Sequence, residues 1–152
     1  MKSKYVLGLA LPAVFLLLVA RAPADAPAGQ YTIDAAAGTV TDTKTGLVWQ
    51  RDIPAGTYTW ASAKAYCSSL GLAGGGWRLP SMKVLQTLVD ESRVNPAIDL
   101  TAFPGTPSDW FWTSSAVAGS SGVAWVVYFG DGYPDGYGFG DVGVNNRVRC
   151  VR

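Results

Sequence analysis

Histidine is absent from this 152-residue chain, and cysteine and methionine appear twice each. Without histidine no serine–histidine nucleophile can be assembled. Two cysteines cannot complete a tetrahedral zinc site by themselves. Charge is also sparse, with twelve basic and eleven acidic residues. That balance falls far short of the basic footprint of a nucleic-acid binder, and no polybasic stretch suits an anionic membrane surface. Long apolar runs are missing too: the longest, residues 5–20, is broken by Gly8 and Pro12, whereas a membrane span needs ~20 apolar residues. A covalent or metal-dependent enzyme is therefore the class least expected.

That apolar run follows Lys2 and Lys4 and precedes small residues, which is the order of a secretory signal peptide over residues 1–24. Cleavage is expected after Ala24 or Ala28, with an uncleaved anchor as the alternative. Losing Lys2, Lys4 and Arg21 leaves nine basic residues against eleven acidic, a net charge of −2. The expected destination is secreted, periplasmic or cell-surface, without stable membrane insertion once the signal is cut. In an exported chain an even cysteine count favours a disulfide, Cys67–Cys150. Two unpaired buried thiols are the alternative.

After a Pro/Ala/Gly-rich flexible leader over residues 25–37, residues 39–42 and 47–50 are β-prone and separated by Thr43-Lys44-Thr45-Gly46, a hairpin pattern. Thr59 can cap a helix over residues 60–70 that places Ala63, Tyr66, Cys67 and Leu70 on one face. Ser81, following Pro80, can cap a second helix over residues 82–90 with Leu85, Leu88 and Val89 inward. Strands are expected at 110–113, 124–129 and 147–151. In the last, Val148 and Cys150 alternate with Arg147 and Arg149, with Arg152 just beyond the strand, and the three arginines are expected to face water. Strand, helices, then strands with long loops is an α+β pattern for a single domain over residues 38–152.

Five phrases carry a family resemblance: Gly38-Thr39-Val40-Thr41-Asp42 leading to Gly46-Leu47-Val48-Trp49-Gln50, then Trp77-Arg78-Leu79-Pro80-Ser81, Asn95-Pro96-Ala97-Ile98-Asp99, Phe111-Trp112-Thr113-Ser114-Ser115, and Val148-Arg149-Cys150-Val151-Arg152. In order and spacing they resemble the Lcl C-terminal-like domain family, named for the terminal domain of a collagen-like bacterial surface adhesin. The resemblance implies a C-type-lectin-like fold: two helices beside small twisted antiparallel sheets, with the chain ends brought together. A bridge from the first helix to the last strand also recurs in C-type lectins. The Glu-Pro-Asn or Gln-Pro-Asp triplet and the Trp-Asn-Asp triplet of calcium-dependent sugar-binding lectins are absent. No cofactor is therefore expected; calcium is not predicted and stays open as an alternative. The related formylglycine-generating oxidases use a pair of closely placed cysteines, and both cysteines here are assigned to the bridge.

The candidate ligand surface is the Gly-, aromatic- and Asp-rich stretch between the last two phrases. Tyr133, Tyr137 and Phe139 offer flat faces for stacking. Asp131, Asp135 and Asp141 can accept hydrogen bonds from hydroxyls or bind a hard cation. Trp110, Asn145 and Asn146 are expected alongside. The alternative is a solvated hairpin whose aromatics merely cover a sheet. The expected function is a non-catalytic binding module for a glycan or a surface protein. An envelope structural component with only a protein partner is the second reading, and an oxidase similar to the formylglycine-generating enzymes the third.

Overall fold

A computed structural model describes Pro27, residues 29–136 and residues 139–152. The signal-peptide segment and Tyr137 lie outside the described residues. Two three-stranded antiparallel sheets and two helices make an α+β fold. The first sheet holds β1 (Tyr31–Asp34), β2 (Thr39–Asp42) and β3 (Val48–Gln50) in that order. The second holds β4 (Trp110–Ala116), β5 (Ala124–Tyr128) and β6 (Pro134–Asp135). Strand β1 lies inside the stretch expected to be a flexible leader. Its Tyr31-Thr32-Ile33-Asp34 run does alternate apolar and polar residues, but it follows a Pro/Ala/Gly-rich stretch and reads as part of it; pairing with β2 and the edge-on contact of Tyr31 with Phe103 at 5.1 Å order it.

The β2–β3 hairpin forms as expected. Its turn is closed by the Gly46 amide donating to the Asp42 carbonyl at 2.8 Å, with Gly46 at φ 73°. Helix α1 (Trp60–Ser69) starts where the Thr59 hydroxyl accepts from the Ser62 amide, and it buries Ala63 and Cys67. Helix α2 (Met82–Gln86) is capped by Ser81 and is shorter than its apolar pattern. The Leu88 and Val89 amides bond three residues back, to Leu85 and Gln86, so the chain tightens out of the helix while Leu88 stays buried.

The sheet of β4 and β5 has an apolar cluster on each face. Phe111 and Val127 join Val40, Trp49, Leu85, Phe103 and Phe129 on one side. Trp112 and Val126 join Ala63, Cys67, Trp77, Val148 and Cys150 on the other. Alternation along a strand sends neighbours to opposite faces, and burial of both faces explains why these strands read as near-continuous apolar runs.

Residues 147–152 sew the halves together. Trp112 and Arg147 bond through the Trp112 amide and the Arg147 carbonyl (2.9 Å), Arg78 and Val151 exchange both bonds, and Val48 and Arg152 do the same. The disulfide Cys67–Cys150, with a Cα separation of 5.4 Å, ties the same segment to α1. One expectation is overturned: Arg149 does not face water but is completely buried. Continuing the Trp49–Val151 pairing, it comes opposite Arg51. There its Nη1 donates to the Gln50 and Arg51 carbonyls (2.7 and 2.6 Å) and its Nη2 to the Thr106 hydroxyl (2.6 Å). Its guanidinium lies 4.7 Å over the Phe103 ring. Simple alternation mispredicted it because the first sheet and the Phe103 loop cover the face that a lone hairpin would leave wet.

Candidate functional site

The candidate site is built on the β4–β5 pairing. Trp110 stands directly opposite Tyr128, so their rings share a face and approach to 4.8 Å between centroids. Phe139 also packs on the indole, stacked at 4.4 Å with 16° between planes. Its outer surface stays open: Phe139 is 50% exposed and Tyr133 62%. The loop is tied to this frame from both ends. The Tyr128 amide donates to the Tyr133 carbonyl (2.8 Å), and the Gly132 amide to the Tyr128 carbonyl (2.7 Å). Phe139 donates its amide to the Asp135 carboxylate (3.1 Å) and accepts from the Asn146 side-chain amide (2.9 Å).

The glycines of this loop serve close approach more than turning. Gly132, at φ +84°, is the one of these that needs the left-handed region, and it also abuts Val89. At Gly130 a Cβ would fall 2.2 Å from the Tyr128 ring, and at Gly136 2.8 Å from Val117. Gly140 is the tightest in kind, because its Cβ would meet the Ala124 carbonyl oxygen at 2.2 Å. Gly140→Ala is therefore expected to destabilise by about 2–3 kcal/mol. Gly122→Ala, where nothing lies within 4 Å, should stay within about 0.5 kcal/mol. Urea midpoints compare the two; equal midpoints would mean that the loop does not press on β5.

The sequence-predicted residues separate into three groups. Trp110 and Phe139 come together with Tyr128, which the sequence reading missed, while Tyr133 joins them only through its backbone bond with Tyr128. The signal for Tyr128 was present, since the β-type run at 124–129 places Tyr128 in phase with Val126, but the register that sets it against Trp110 was not readable. The aspartates hold turns: Asp131 accepts from the Tyr133 amide (3.0 Å), Asp135 from Phe139 as above, and Asp141 from the Gly143 amide (2.8 Å). Asn145 is exposed, whereas Asn146 is buried and exchanges backbone bonds with Tyr58. Asn146 thus positions Phe139 from behind rather than meeting a ligand.

Beside the aromatic group, Arg147 pairs with Asp109 at 3.1 Å and donates to the Ala55 carbonyl. The serines of the Trp112-Thr113-Ser114-Ser115 phrase are structural at Ser115, whose hydroxyl accepts from the Met82 amide at the start of α2 (3.0 Å). Among the described residues, no three acidic or cysteine side chains gather closely enough to hold a metal ion, and no helix is long and apolar enough to cross a membrane.

A family model for the Lcl C-terminal domain matches residues 38–152. The chain belongs to the Lcl C-terminal domain family. The match begins at Gly38, after β1, and takes in both helices, the disulfide and the whole aromatic loop. No curated protein matches the chain significantly. In this Lcl C-terminal domain the five sequence phrases fall on the shared frame: the hairpin of β2 and β3, the entry to α2, the buried Ala97–Ile98 turn, β4 and the closing segment. The aromatic loop falls between the last two of these.

Proposed function

We propose that the protein is an exported, non-catalytic binding module that holds a saccharide by stacking on Phe139 and Tyr133. The supporting observation is the open outer face of Phe139, fixed over Trp110 by hydrogen bonds at its own amide and carbonyl. A ring held this way loses little freedom when a ligand lands, and the apolar face of a pyranose fits such a surface. Carboxylates around the rim accept from sugar hydroxyls. Because each described aspartate is already engaged by a backbone amide of its own turn, binding is read as independent of calcium. Export accords with the disulfide and with the signal-like N-terminus.

Glycan-array screening of the exported protein, with and without chelator, tests this reading. Phe139→Ala and Tyr133→Ala should each weaken the best sugar by about 1 kcal/mol, roughly fivefold. Tyr133→Ala should leave thermal stability nearly unchanged, since the ring is mostly exposed. Phe139→Ala should cost about 1 kcal/mol of stability through the lost stack. A blank array, or variants that lose stability while retaining binding, would return the aromatics to the role of sheet cover.

A further inference from the structure

A cavity of about 170 Å³ lies away from the aromatic surface, between β1 and the turn that follows Asp99. Pro27, Gln30, Tyr31, Ile33, Asp99 and Thr101 line it. Strand β1 is the edge of its sheet, so the cavity borders backbone that no further strand covers. Asp99 is half-buried there. Its Oδ1 accepts the Thr101 and Ala102 amides (2.8 and 3.4 Å), which fixes the carboxylate, and no described residue bonds its Oδ2. The Tyr31 hydroxyl, which accepts from the Gln30 side-chain amide at 3.3 Å, reports the sign of the field. Burial, then Asp42, Asp99 and Asp90, hold that phenol protonated well above the usual tyrosine range, opposed by Arg149. Asp42 is engaged by the Lys44 amide and the Thr45 hydroxyl, and Asp90 by Arg93. Asp99 is the carboxylate of this group that opens on the cavity.

The path of the chain points to the occupant. Pro27 to Gln30 make a turn, closed by the Gln30 amide donating to the Pro27 carbonyl at 2.9 Å, with Gly29 at φ 78°. Such a turn reverses direction, so a chain entering it approaches from beside β1. The inner side of β1 is taken. There β2 pairs along it, and the Thr43 hydroxyl and amide donate to the Gly29 and Gln30 carbonyls (3.1 and 2.8 Å). The side that remains is the one with the cavity, whose wall includes Pro27. Asp25 and Ala26, which precede Pro27 in the sequence, lie outside the described residues.

Resting on the export reading for the cut itself, we propose that this cavity seats the chain's own mature N-terminus: the α-ammonium of Asp25 enters between β1 and the Asp99 turn and pairs with the Asp99 carboxylate. Hydrolysis of the Ala24–Asp25 bond by a signal peptidase adds water across it, leaving a carboxylate on Ala24 and the ammonium on Asp25. The uncut chain has a neutral amide at that place, so the pair forms only on maturation. Two residues extend about 7 Å, which brings the ammonium within reach of the cavity that Pro27 lines. Besides Asp99, the charges acting on it are Asp42, Asp90, Arg149 and the Asp25 side chain. The pair favours the charged amine, so its pKa should rise from roughly 7.7–8.0 to about 9. A raised pKa gives a contribution to stability that is complete below about pH 7.7 and is lost as pH climbs through about 9.

The test uses the exported protein. Mass spectrometry first locates its N-terminus, expected at Asp25. NMR titration of the α-amine should then give about 9 in the wild type and about 8 in Asp99→Asn, whose side-chain oxygen can still accept the Thr101 amide. At about pH 6.5 Asp99→Asn should melt about 2–4 °C lower, and the gap should close by about pH 10. Transamination specific to the α-amine, which replaces the ammonium by a neutral carbonyl, should bring the wild type down to the Asp99→Asn midpoint. A retained residue 1–24 segment, or an N-terminus at Gly29, would remove the cut on which the proposal rests. An N-terminus at Asp25 whose amine titrates normally and ignores Asp99→Asn would overturn the seat and leave export standing. A melting gap that persists above about pH 10 would reduce Asp99 to a turn residue. One that grows with protein concentration would give the cavity to a second copy of the chain instead.

Discussion

Opening the Cys67–Cys150 bridge is expected to lower the unfolding free energy by about 4–5 kcal/mol, the loop-closure value for ends separated by 83 residues. The loop contains α2 and the whole second sheet, so cutting it frees that half of the unfolded chain. Position adds to length. Both cysteines are completely buried in the cluster with Ala63, Trp77, Trp112 and Val148, and Cys150 belongs to the segment that bonds β3, β4 and Arg78 together. Losing the bridge therefore weakens the attachment of the C-terminal segment to α1 at the point where the two halves meet. Cys67→Ala with Cys150→Ala isolates the covalent term, since alanine leaves no polar group in the core. The paired serine variant should be worse by about 1–3 kcal/mol per buried hydroxyl without a partner. Urea unfolding of oxidised, reduced and substituted protein makes the comparison. A difference below about 1 kcal/mol between oxidised and alanine-paired forms would show that the unfolded chain is compact enough not to need the tether.

What the sequence showed, and what it hid, follows from the range of the forces involved. The hairpin of β2 and β3, the caps at Thr59 and Ser81, and the inward faces of Ala63, Cys67 and Leu85 are local patterns, and they formed as read. The disulfide was legible because periodicity aimed both cysteines inward. Strand β1 escaped the sequence reading although Tyr31 and Ile33 alternate with Thr32 and Asp34, because the run is only 4 residues long and follows a Pro/Ala/Gly-rich stretch; its order comes from pairing with β2 across a turn and from Tyr31 against Phe103. In the site, the loop could be picked out by composition, but its geometry depended on register. Only the Trp110–Tyr128 pairing shows which rings meet. Only the backbone contacts show that Asn146 faces inward to hold Phe139 and that Gly140 must have no side chain. Arg149 is the sharpest case, because a residue type that normally marks the surface is placed in the core by a loop about forty residues earlier in the chain.

Arg149→Ala is expected to destabilise by about 3–5 kcal/mol. The guanidinium fills space over Phe103 and supplies donors to the Gln50 and Arg51 carbonyls and the Thr106 hydroxyl. No carboxylate among the described residues lies within ion-pair distance of it, and its Nε has no partner. The site thus carries both a gain from three neutral acceptors and a cost from a buried charge. Arg149→Met separates them by keeping volume while removing the charge and the donors, so its loss should be smaller than that of alanine. Alkaline pH gives an independent readout. Burial, opposed by Asp52 and Tyr31, lowers the Arg149 pKa to about 9, while the unfolded chain holds that proton to far higher pH. Above about pH 9 the unfolded state therefore binds more protons, and the Arg149 contribution to stability rises with pH. Tyr31 works in the opposite direction. Burial first, then Asp42, Asp99 and Asp90, raise its phenol pKa, so its contribution is intact below about pH 10 and is lost as pH climbs further. Burial likewise raises Tyr66, against the hydrogen bond from Gln50. Wild-type stability should therefore climb slightly between about pH 9 and 10 and then fall. In Arg149→Met the climb should vanish while the fall remains. An unchanged climb in the methionine variant would show that the slope comes from other groups and that the buried guanidinium is not paying for its desolvation.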